Sequence, residues 1–366
     1  MSGLWPGRTR CVVMLTFDMD GASGMLRRET SVAKRPSVMS QGDFGPEVGA
    51  PRIIDLLSEH KAPATFFVPG WVAERHPDAV RAALLAGHEV AHHGYMHEAP
   101  ATLSGPKEEA GLLDRGSAAL EKVTGQRPLG YRSPSWDVSE WTLGLLAERG
   151  FAYDSSLMGH DVPYFVDVQS GRPSHFAPIG IGVSATPRPS PRGRGVKQTE
   201  RSPGKEMALS PGKKGTRRQS AGTGGGARQL VELPVHWSLD DTAYYPFNPA
   251  IGRMGPLLSP QVALDTWLWE FDMAYEHGGA FMLTMHPYVS GHWSRLNGLR
   301  RLIKHIKAHR GVKFMRCIDV ATGWTETGLR RRAALRPHPS ASLGAGPDPL
   351  PPKRLMHFGV TCSMSS

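Results

Sequence analysis

Four short polar segments in this sequence each stand at the end of an apolar run. Two aspartates occur in FDMD (17–20), two separated histidines in HHGYMH (92–97), an arginine and a tryptophan in RSPSW (132–136), and a histidine in HP (286–287). Carboxylates and imidazoles can together bind a divalent cation, and the same groups can accept or donate protons near neutral pH. If the fold brings these segments together, they could form a metal-dependent hydrolytic site.

The spacing inside two of these segments supports this interpretation. Asp18 and Asp20 project to the same side of an extended strand, and two neighbouring carboxylates are costly unless a cation or an arginine balances them. His93 and His97 are four residues apart, which places two imidazoles on one face when the chain turns helically. Taken singly, the aspartates could serve a turn and the histidines could be a surface pair. Together, the four segments favour one shared metal site.

Apolar runs and helical periodicities alternate along the chain, and these elements must position the four segments. Strands are predicted at 11–17, 64–70, 88–93, 130–134, 230–237, 281–287 and 313–317. Helices are predicted at 46–59, 77–86, 106–123, 139–149, 260–277 and 293–309. This alternation predicts an α/β fold with a mostly parallel sheet, and at least seven such units favour a barrel over an open sheet. In such barrels the chemistry lies at the C-terminal ends of the strands, where all four polar segments fall.

The net charge of +10 is concentrated in two segments that have little to bury. Residues 180–228 carry eleven Lys and Arg against two Glu, and residues 325–366 carry six against two acidic residues. We predict a disordered basic insertion at 180–228 and a disordered tail at 325–366, around one barrel domain at 11–324 that follows a short lead at 1–10. The insertion from residue 188 onward has no aromatic residues for base stacking, so no specific nucleic-acid binding is expected.

Cysteine content and hydropathy constrain the class of protein further. The three cysteines, Cys11, Cys317 and Cys362, are too few and too scattered for a disulfide framework or a cysteine-based zinc site. No run approaches the roughly 20 apolar residues of a membrane span, and the N-terminal run reads as a buried strand rather than a signal peptide. A cytoplasmic protein without membrane association is therefore expected.

The motifs as a set resemble those of a known family. TFDMDG (16–21), HGYMH (93–97), YRSPSW (131–136) and MHP (285–287) are similar to the successive motifs of the polysaccharide deacetylases, also called the NodB-homology family or carbohydrate esterase family 4. The resemblance covers residues 10–180 and 229–324. It is closest to the intracellular branch that includes the Helicobacter-type peptidoglycan deacetylase, cyclic imidases and allantoinase-like enzymes. It implies a single-domain, distorted (β/α)7 barrel.

The resemblance also implies a role for each matching residue. One divalent metal ion, usually Zn²⁺ with Co²⁺ or another divalent ion as the alternative, would have three ligands: Asp20, His93 and His97. Asp18 would be the general base, Arg132 would orient that base, and His286 would be the general acid. Two departures stand out, because the family has adjacent aspartates where Met19 intervenes here, and often a small hydroxyl residue where this chain has Gly94.

Further residues are candidates for contact with substrate: Trp136, Tyr95, Pro134, Asp240 and Asp241. The expected activity is hydrolysis of a carbon–nitrogen bond other than a peptide bond. The substrate could be an N-acetylated sugar or a small cyclic imide or ureide. A barrel that binds carbohydrate without turnover is the alternative from another class, and a homo-oligomer is a further expectation.

Overall fold

The computed structural model describes residues 4–175, 230–248 and 252–335. The chain divides into two compact units, Met1–Gly328 and Leu329–Ser366, and the described part of the second is the end of the last helix. The strands are β1 (Cys11–Asp18), β2 (Ala64–Val68), β3 (Glu89–His92), β4 (Gly130–Tyr131), β5 (Tyr153–Asp154), β6 (Tyr164–Val166), β7 (Pro173–His175), β8 (Val231–Glu232), β9 (Phe247–Asn248), β10 (Arg253–Met254), β11 (Ala280–Met285) and β12 (Val312–Phe314). The α-helices are α1 (Ser23–Arg28), α2 (Pro36–Phe44), α3 (Ala50–Glu59), α4 (Gly70–Arg75), α5 (Pro77–Leu85), α6 (Pro106–Thr124), α7 (Thr142–Glu148), α8 (Pro260–Glu276), α9 (Pro287–Ser290), α10 (Trp293–Lys307) and α11 (Cys317–Leu335).

The main sheet is mostly parallel. Its order is β11-β1-β2-β3-β4-β5-β8, and each neighbouring pair in this run is parallel. Strand β12 lies parallel to the first residues of β1. Beyond β8, Asp240 forms a parallel bridge to Thr284 of β11, which links the two ends of the run. This topology confirms the distorted (β/α)7 barrel.

Strand β1 forms because its eight residues, CVVMLTFD, can be buried on both faces. Val13, Leu15 and Phe17 belong to the core that includes Leu57 of α3. The alternate residues Val12 and Met14 belong to a second core, which fills the inside of the barrel. Because side chains alternate between faces, this second face also carries Asp18 toward the barrel interior.

Two predicted strands are reduced to two residues each in the structure. The run 130–134 forms only β4, because a 3-10 turn begins at Pro134, and the run 230–237 forms only β8, because Pro234 lacks the N–H that a sheet ladder needs. Strand β5 and the antiparallel hairpin of β6 and β7 are not predicted from sequence, because two or three residues are too few to establish a period.

The two basic segments have different outcomes. The predicted insertion at 180–228 lies outside the described residues. The predicted start of the tail at 325 falls inside helix α11, which continues to Leu335. Ala, Leu and Arg are good helix formers, so a charged sequence of this composition can extend a helix. Residues 336–366 lie outside the described ranges, and none of the helices within those ranges is long and apolar enough to cross a bilayer.

Candidate metal centre

The carboxylates of Asp18 and Asp20 meet at the C-terminal end of β1. Asp18 is 2 % exposed and Asp20 is 8 % exposed. Met19, between them, is fully buried in the core on the other face of the strand. The inserted methionine therefore lets both carboxylates project to one side, as the period of the strand predicts.

Asp20 lies between two imidazoles at spacings that suit a shared cation. Its Oδ1 is 3.4 Å from Nε2 of His93, and its Oδ2 is 3.5 Å from Nε2 of His97. Ligand atoms at about 2.0–2.1 Å from a tetrahedral zinc ion are roughly 3.3 Å apart. The buried Oδ1 accepts no hydrogen bond from the described residues. An unsatisfied buried carboxylate oxygen among nitrogen donors fits a divalent ion.

The turn that carries His93 and His97 differs from the helical turn that their spacing suggests. Residues 93–97 follow β3 as an irregular bend, in which Gly94 has φ +72° and His97 has φ +59°. A Cβ on Gly94 would lie 3.1 Å from Cγ of Pro134 and would also need that left-handed backbone. The glycine therefore lets the second imidazole fold back over Asp20 where a bulkier residue would be strained.

Hydrogen bonding and charge prepare these groups for a cation. Nδ1 of His93 donates to the carbonyl oxygen of Arg132 at 2.8 Å, which leaves the lone pair of Nε2 facing Asp20. Burial lowers the pKa of His97 to about 4, so its imidazole is neutral at pH 7. Burial would raise the pKa of Asp20, but the imidazoles of His97, His93 and His286 together lower it well below its usual value.

Arg132 is fully buried and binds Asp18 directly. Its Nη1 donates to Oδ1 of Asp18 at 2.7 Å and to Oγ1 of Thr16 at 2.9 Å. Its Nε and Nη2 donate to the carbonyl oxygen and hydroxyl of Ser155, and its guanidinium carbon lies 4.0 Å from the centre of the Phe67 ring. These contacts hold the guanidinium rigidly, so the second oxygen of Asp18 can face the metal centre, 3.8 Å from Nε2 of His93.

His286 approaches Asp20 from strand β11 with its orientation fixed by Asp241. Nδ1 of His286 is 2.7 Å from Oδ1 of Asp241, and the backbone N–H of His286 donates to Oδ2 at 2.9 Å. The hydroxyl of Ser290 also donates to Oδ2. Nε2 of His286 is left 3.8 Å from Asp20. Burial would lower the pKa of His286, but Asp241, Asp240 and Asp20 raise it well above its usual value.

Only some of the predicted substrate contacts line the pocket at this centre. Trp136 and Asp240 are among its lining residues. Tyr95 is not among the described residues that line this pocket, because its hydroxyl forms hydrogen bonds with Glu74 and Arg115 instead. Pro134 is buried, is not among the described residues that line the pocket, and packs against the turn at Gly94.

Asp241 also differs from its predicted role as a substrate contact at the mouth. It is fully buried, and its carboxylate accepts hydrogen bonds from His286 and Ser290. Asp240 is also buried, and its carboxylate accepts hydrogen bonds from the N–H and hydroxyl of Thr242. Burial and the adjacent Asp241 raise the pKa of Asp240 to about 6.

Comparison with known proteins shows which family the chain resembles. Residues 8–153 match the family model for polysaccharide deacetylase. The chain is 30 % identical over 324 residues to the peptidoglycan deacetylase of Helicobacter pylori, an alignment that covers 88 % of this chain and 98 % of that protein. This chain belongs to the polysaccharide deacetylase family. Members of this family hydrolyse carbon–nitrogen bonds other than peptide bonds, and the chain is a hydrolase of that type.

Two solved structures share the fold of this polysaccharide deacetylase. A Mycobacterium smegmatis protein assigned to the same family is 33 % identical, with a TM-score of 0.70 over 94 % of this chain and 99 % of that one. PuuE allantoinase is 22 % identical, with a TM-score of 0.60 over 91 % of this chain and 94 % of that one. At 22 % identity, the similarity to PuuE allantoinase concerns the fold alone.

Sequence reasoning misses several residues of the deacetylase site, among them Thr16, Ser155 and Trp237. Thr16 could have been found, because it lies two positions before Asp18 on the same face of β1. Ser155 follows a strand too short to recognise. Trp237 packs against Trp136 with ring centroids 4.5 Å apart and lines the pocket, but a lone exposed tryptophan after a proline-containing run carries no signal of its own.

Proposed function

We propose that this chain removes the acetyl group from an N-acetylated amino sugar by metal-assisted hydrolysis. One arrangement carries the proposal: a buried carboxylate and two imidazoles at ion-ligand spacing, with a separate carboxylate and a separate imidazole beside them. The similarity to a peptidoglycan deacetylase over nearly its whole length supports the substrate class.

Asp20, His93 and His97 would hold the ion. Two imidazole nitrogens and one carboxylate oxygen are a typical ligand set of catalytic zinc sites, so we propose Zn²⁺, with Co²⁺ as a competent substitute. A bound ion would polarise the amide carbonyl and make a water molecule acidic near neutral pH. The remaining groups of the site would accept or donate protons.

Asp18 would accept the proton of the attacking water. Arg132 fixes Oδ1 of Asp18 by a short hydrogen bond, while Oδ2 stays on the side of His93. A general base must be held within reach of the proton that it removes. The buried network of Thr16 and Ser155 around Arg132 provides that rigidity.

His286 would donate a proton to the leaving nitrogen. An amine leaves readily only when it is protonated, and the carboxylate of Asp241 stabilises the charged imidazole that supplies the proton. Since Nδ1 of His286 is engaged by Asp241, the proton transferred is the one on Nε2. The adjacent rings of Trp136 and Trp237 and the carboxylate of Asp240 would position the substrate.

A substrate panel tests the proposal. The full chain, loaded with Zn²⁺, is incubated with N-acetylglucosamine oligomers, and released acetate and free amine are measured. We expect acetate in equal amount to new amine, and loss of both after chelation. If the zinc-loaded chain binds the oligomers but hydrolyses neither this set nor the set described next, the proposal is wrong and a carbohydrate-binding barrel is favoured.

A second candidate is hydrolysis of a small cyclic imide or ureide. The observation that favours it is the size of the pocket, about 90 Å³, beside the flat surfaces of Trp136 and Trp237. A planar ring could enter such a pocket as readily as an acetamido group. Cyclic imides and allantoin form the second substrate set, and ring opening without acetate release would select this candidate.

Replacing Asp241 should impair the proposed acid. We expect Asp241→Asn to lower kcat for the amide substrate about 10- to 100-fold, the usual cost of losing a carboxylate that orients a functional imidazole, with little change in KM. The effect should shrink with 4-nitrophenyl acetate, because its phenolate departs without protonation. An equal loss of kcat on both substrates would contradict this role and indicate a general distortion of the site.

A further inference from the structure

A second cluster of metal-ligating side chains lies between helices α8 and α10. Asp272 is on α8, His305 is in the last turn of α10, and His309 follows that helix. One ligand atom from each of the three residues lies within 4.8 Å of the others. None of these side chains takes part in the centre described above.

The position of the cluster separates it from the catalytic centre. Tyr275, near the end of α8, accepts a hydrogen bond through its carbonyl oxygen from Arg10, which directly precedes β1. Its hydroxyl binds the carbonyl oxygen of Arg310, one residue after His309. The cluster therefore lies near the start of β1, whereas Asp18 and Asp20 lie at its far end. With about 3.3 Å per strand residue, the two sites are roughly 20 Å apart.

Hydrogen bonding orients the imidazoles toward the carboxylate. Nδ1 of His309 donates to the carbonyl oxygen of His305 at 3.0 Å, which leaves the lone pair of Nε2 facing Asp272. A backbone carbonyl that fixes the tautomer in this way is typical of metal-binding histidines. Nε2 of His305 is 2.7 Å from Oδ1 of Asp272, and Nε2 of His309 is 3.9 Å from the same oxygen.

Packing holds the rings in place while leaving one side open to solvent. The Phe271 ring contacts both imidazoles edge-on, with centroid distances of 5.7 Å to His305 and 5.1 Å to His309. Tyr275 packs on His309 at 4.7 Å. The side chains of Asp272, His305 and His309 are still 42 %, 35 % and 27 % exposed, so an ion could enter and keep water as its remaining ligands.

The electrostatic setting is mixed but compatible with a cation. Helices α8 and α10 both end here, and helix C-termini carry partial negative charge. Arg10 offsets part of this negative charge at the end of α8, because its guanidinium donates to the carbonyl oxygens of Tyr275 and Glu276. The carboxylate of Asp272 is then the main attraction for a cation, and the two imidazoles would supply nitrogen lone pairs.

We propose that Asp272, His305 and His309 bind a second divalent transition-metal ion, Zn²⁺ or a similar ion of borderline softness. Two imidazole donors exclude Mg²⁺ and Ca²⁺, which prefer oxygen ligands. Binding requires Asp272 and His305 to separate by about 0.6 Å, from a hydrogen bond to the roughly 3.3 Å between ligands of a tetrahedral ion. The bound ion joins the ends of two helices and stabilises the barrel without entering the reaction.

The test counts ions in a chain whose catalytic centre has been disabled. Metal-free full-length Asp20→Asn protein is dialysed against Zn²⁺, and bound zinc is measured by mass spectrometry. We expect one ion per chain, against two in the unsubstituted protein. Adding His309→Ala or the isosteric Asp272→Asn should weaken the remaining binding at least about tenfold. His277→Ala, which removes an exposed imidazole just after α8, is the matched control and should change nothing.

Thermal unfolding gives a second readout. Zn²⁺ should raise the Tm of Asp20→Asn protein by about 2 °C or more, and this rise should vanish with His309→Ala. If zinc binding to Asp20→Asn protein is unaffected by both His309→Ala and Asp272→Asn, or absent from the start, the cluster is only an ion pair between helices and the proposal is overturned. If Asp20→Asn protein binds two ions and His309→Ala removes one, the catalytic assignment fails while this site stands.

Discussion

Asp20→Asn is expected to lose the catalytic metal ion and at least about 10³-fold in kcat/KM, since a metal Lewis acid supplies several kcal/mol of transition-state stabilisation. The carboxylate lies between His93 and His97 at 3.4 and 3.5 Å, and the imidazoles alone provide no negative charge to hold a divalent ion. Zinc content at the catalytic centre and hydrolysis of the preferred substrate are measured on the same sample.

The change is isosteric, so the fold should be retained, and a matched Asp→Asn control together with thermal unfolding checks this. Asp55→Asn alters an exposed aspartate on α3 and should retain both metal and activity. Metal-free Asp20→Asn protein should still unfold in one cooperative transition, with a Tm somewhat below that of the metal-free parent, because it loses the favourable interaction of the carboxylate with the neighbouring imidazoles while the core is unchanged. Full activity in Asp20→Asn would show that the proposed ligand set is wrong.

The parts of the site that depend on strand geometry could be predicted from the sequence. The continuous apolar run of β1 fixes which of its residues face the barrel interior, so Asp18 and Asp20 had to share a side. The placement of His286 follows from the order of parallel strands in a barrel, because the C-terminal ends of β11 and β1 lie on the same side. These features depend on the regular pattern of a strand, which can be read directly from the sequence.

The parts that depend on irregular backbone could not be predicted. Residues 93–97 have a helical spacing, but left-handed conformations at Gly94 and His97 bring the imidazoles together instead. Tyr95 in the same bend points to Glu74 and Arg115 rather than into the pocket. The role of Asp241 could not be predicted either, because only the turn after β8 brings its carboxylate to the end of β11, where it accepts a hydrogen bond from the backbone N–H of His286.

Arg132→Met should be the most destabilising single change in the site. The guanidinium is fully buried, and its loss leaves the carboxylate of Asp18 without its only arginine partner among the described residues. Removing one member of a buried ion pair typically costs about 3–5 kcal/mol, because the remaining charge is uncompensated. Urea unfolding of the metal-free protein measures this cost, and catalysis should fall as well, since Asp18 loses its fixed orientation.

A double-mutant cycle separates the ion pair from simple packing. Asp18→Asn alone should cost less than Arg132→Met, because the guanidinium keeps its hydrogen bonds to Thr16 and Ser155. The double variant Asp18→Asn/Arg132→Met should be more stable than the sum of the single losses predicts, since neither charge is then left alone. All three variants should be catalytically impaired. The double variant would therefore regain part of its stability without regaining activity. Additive losses of stability would instead mean that Arg132 contributes mainly through its contact with Phe67, and that the pairing with Asp18 serves catalysis alone.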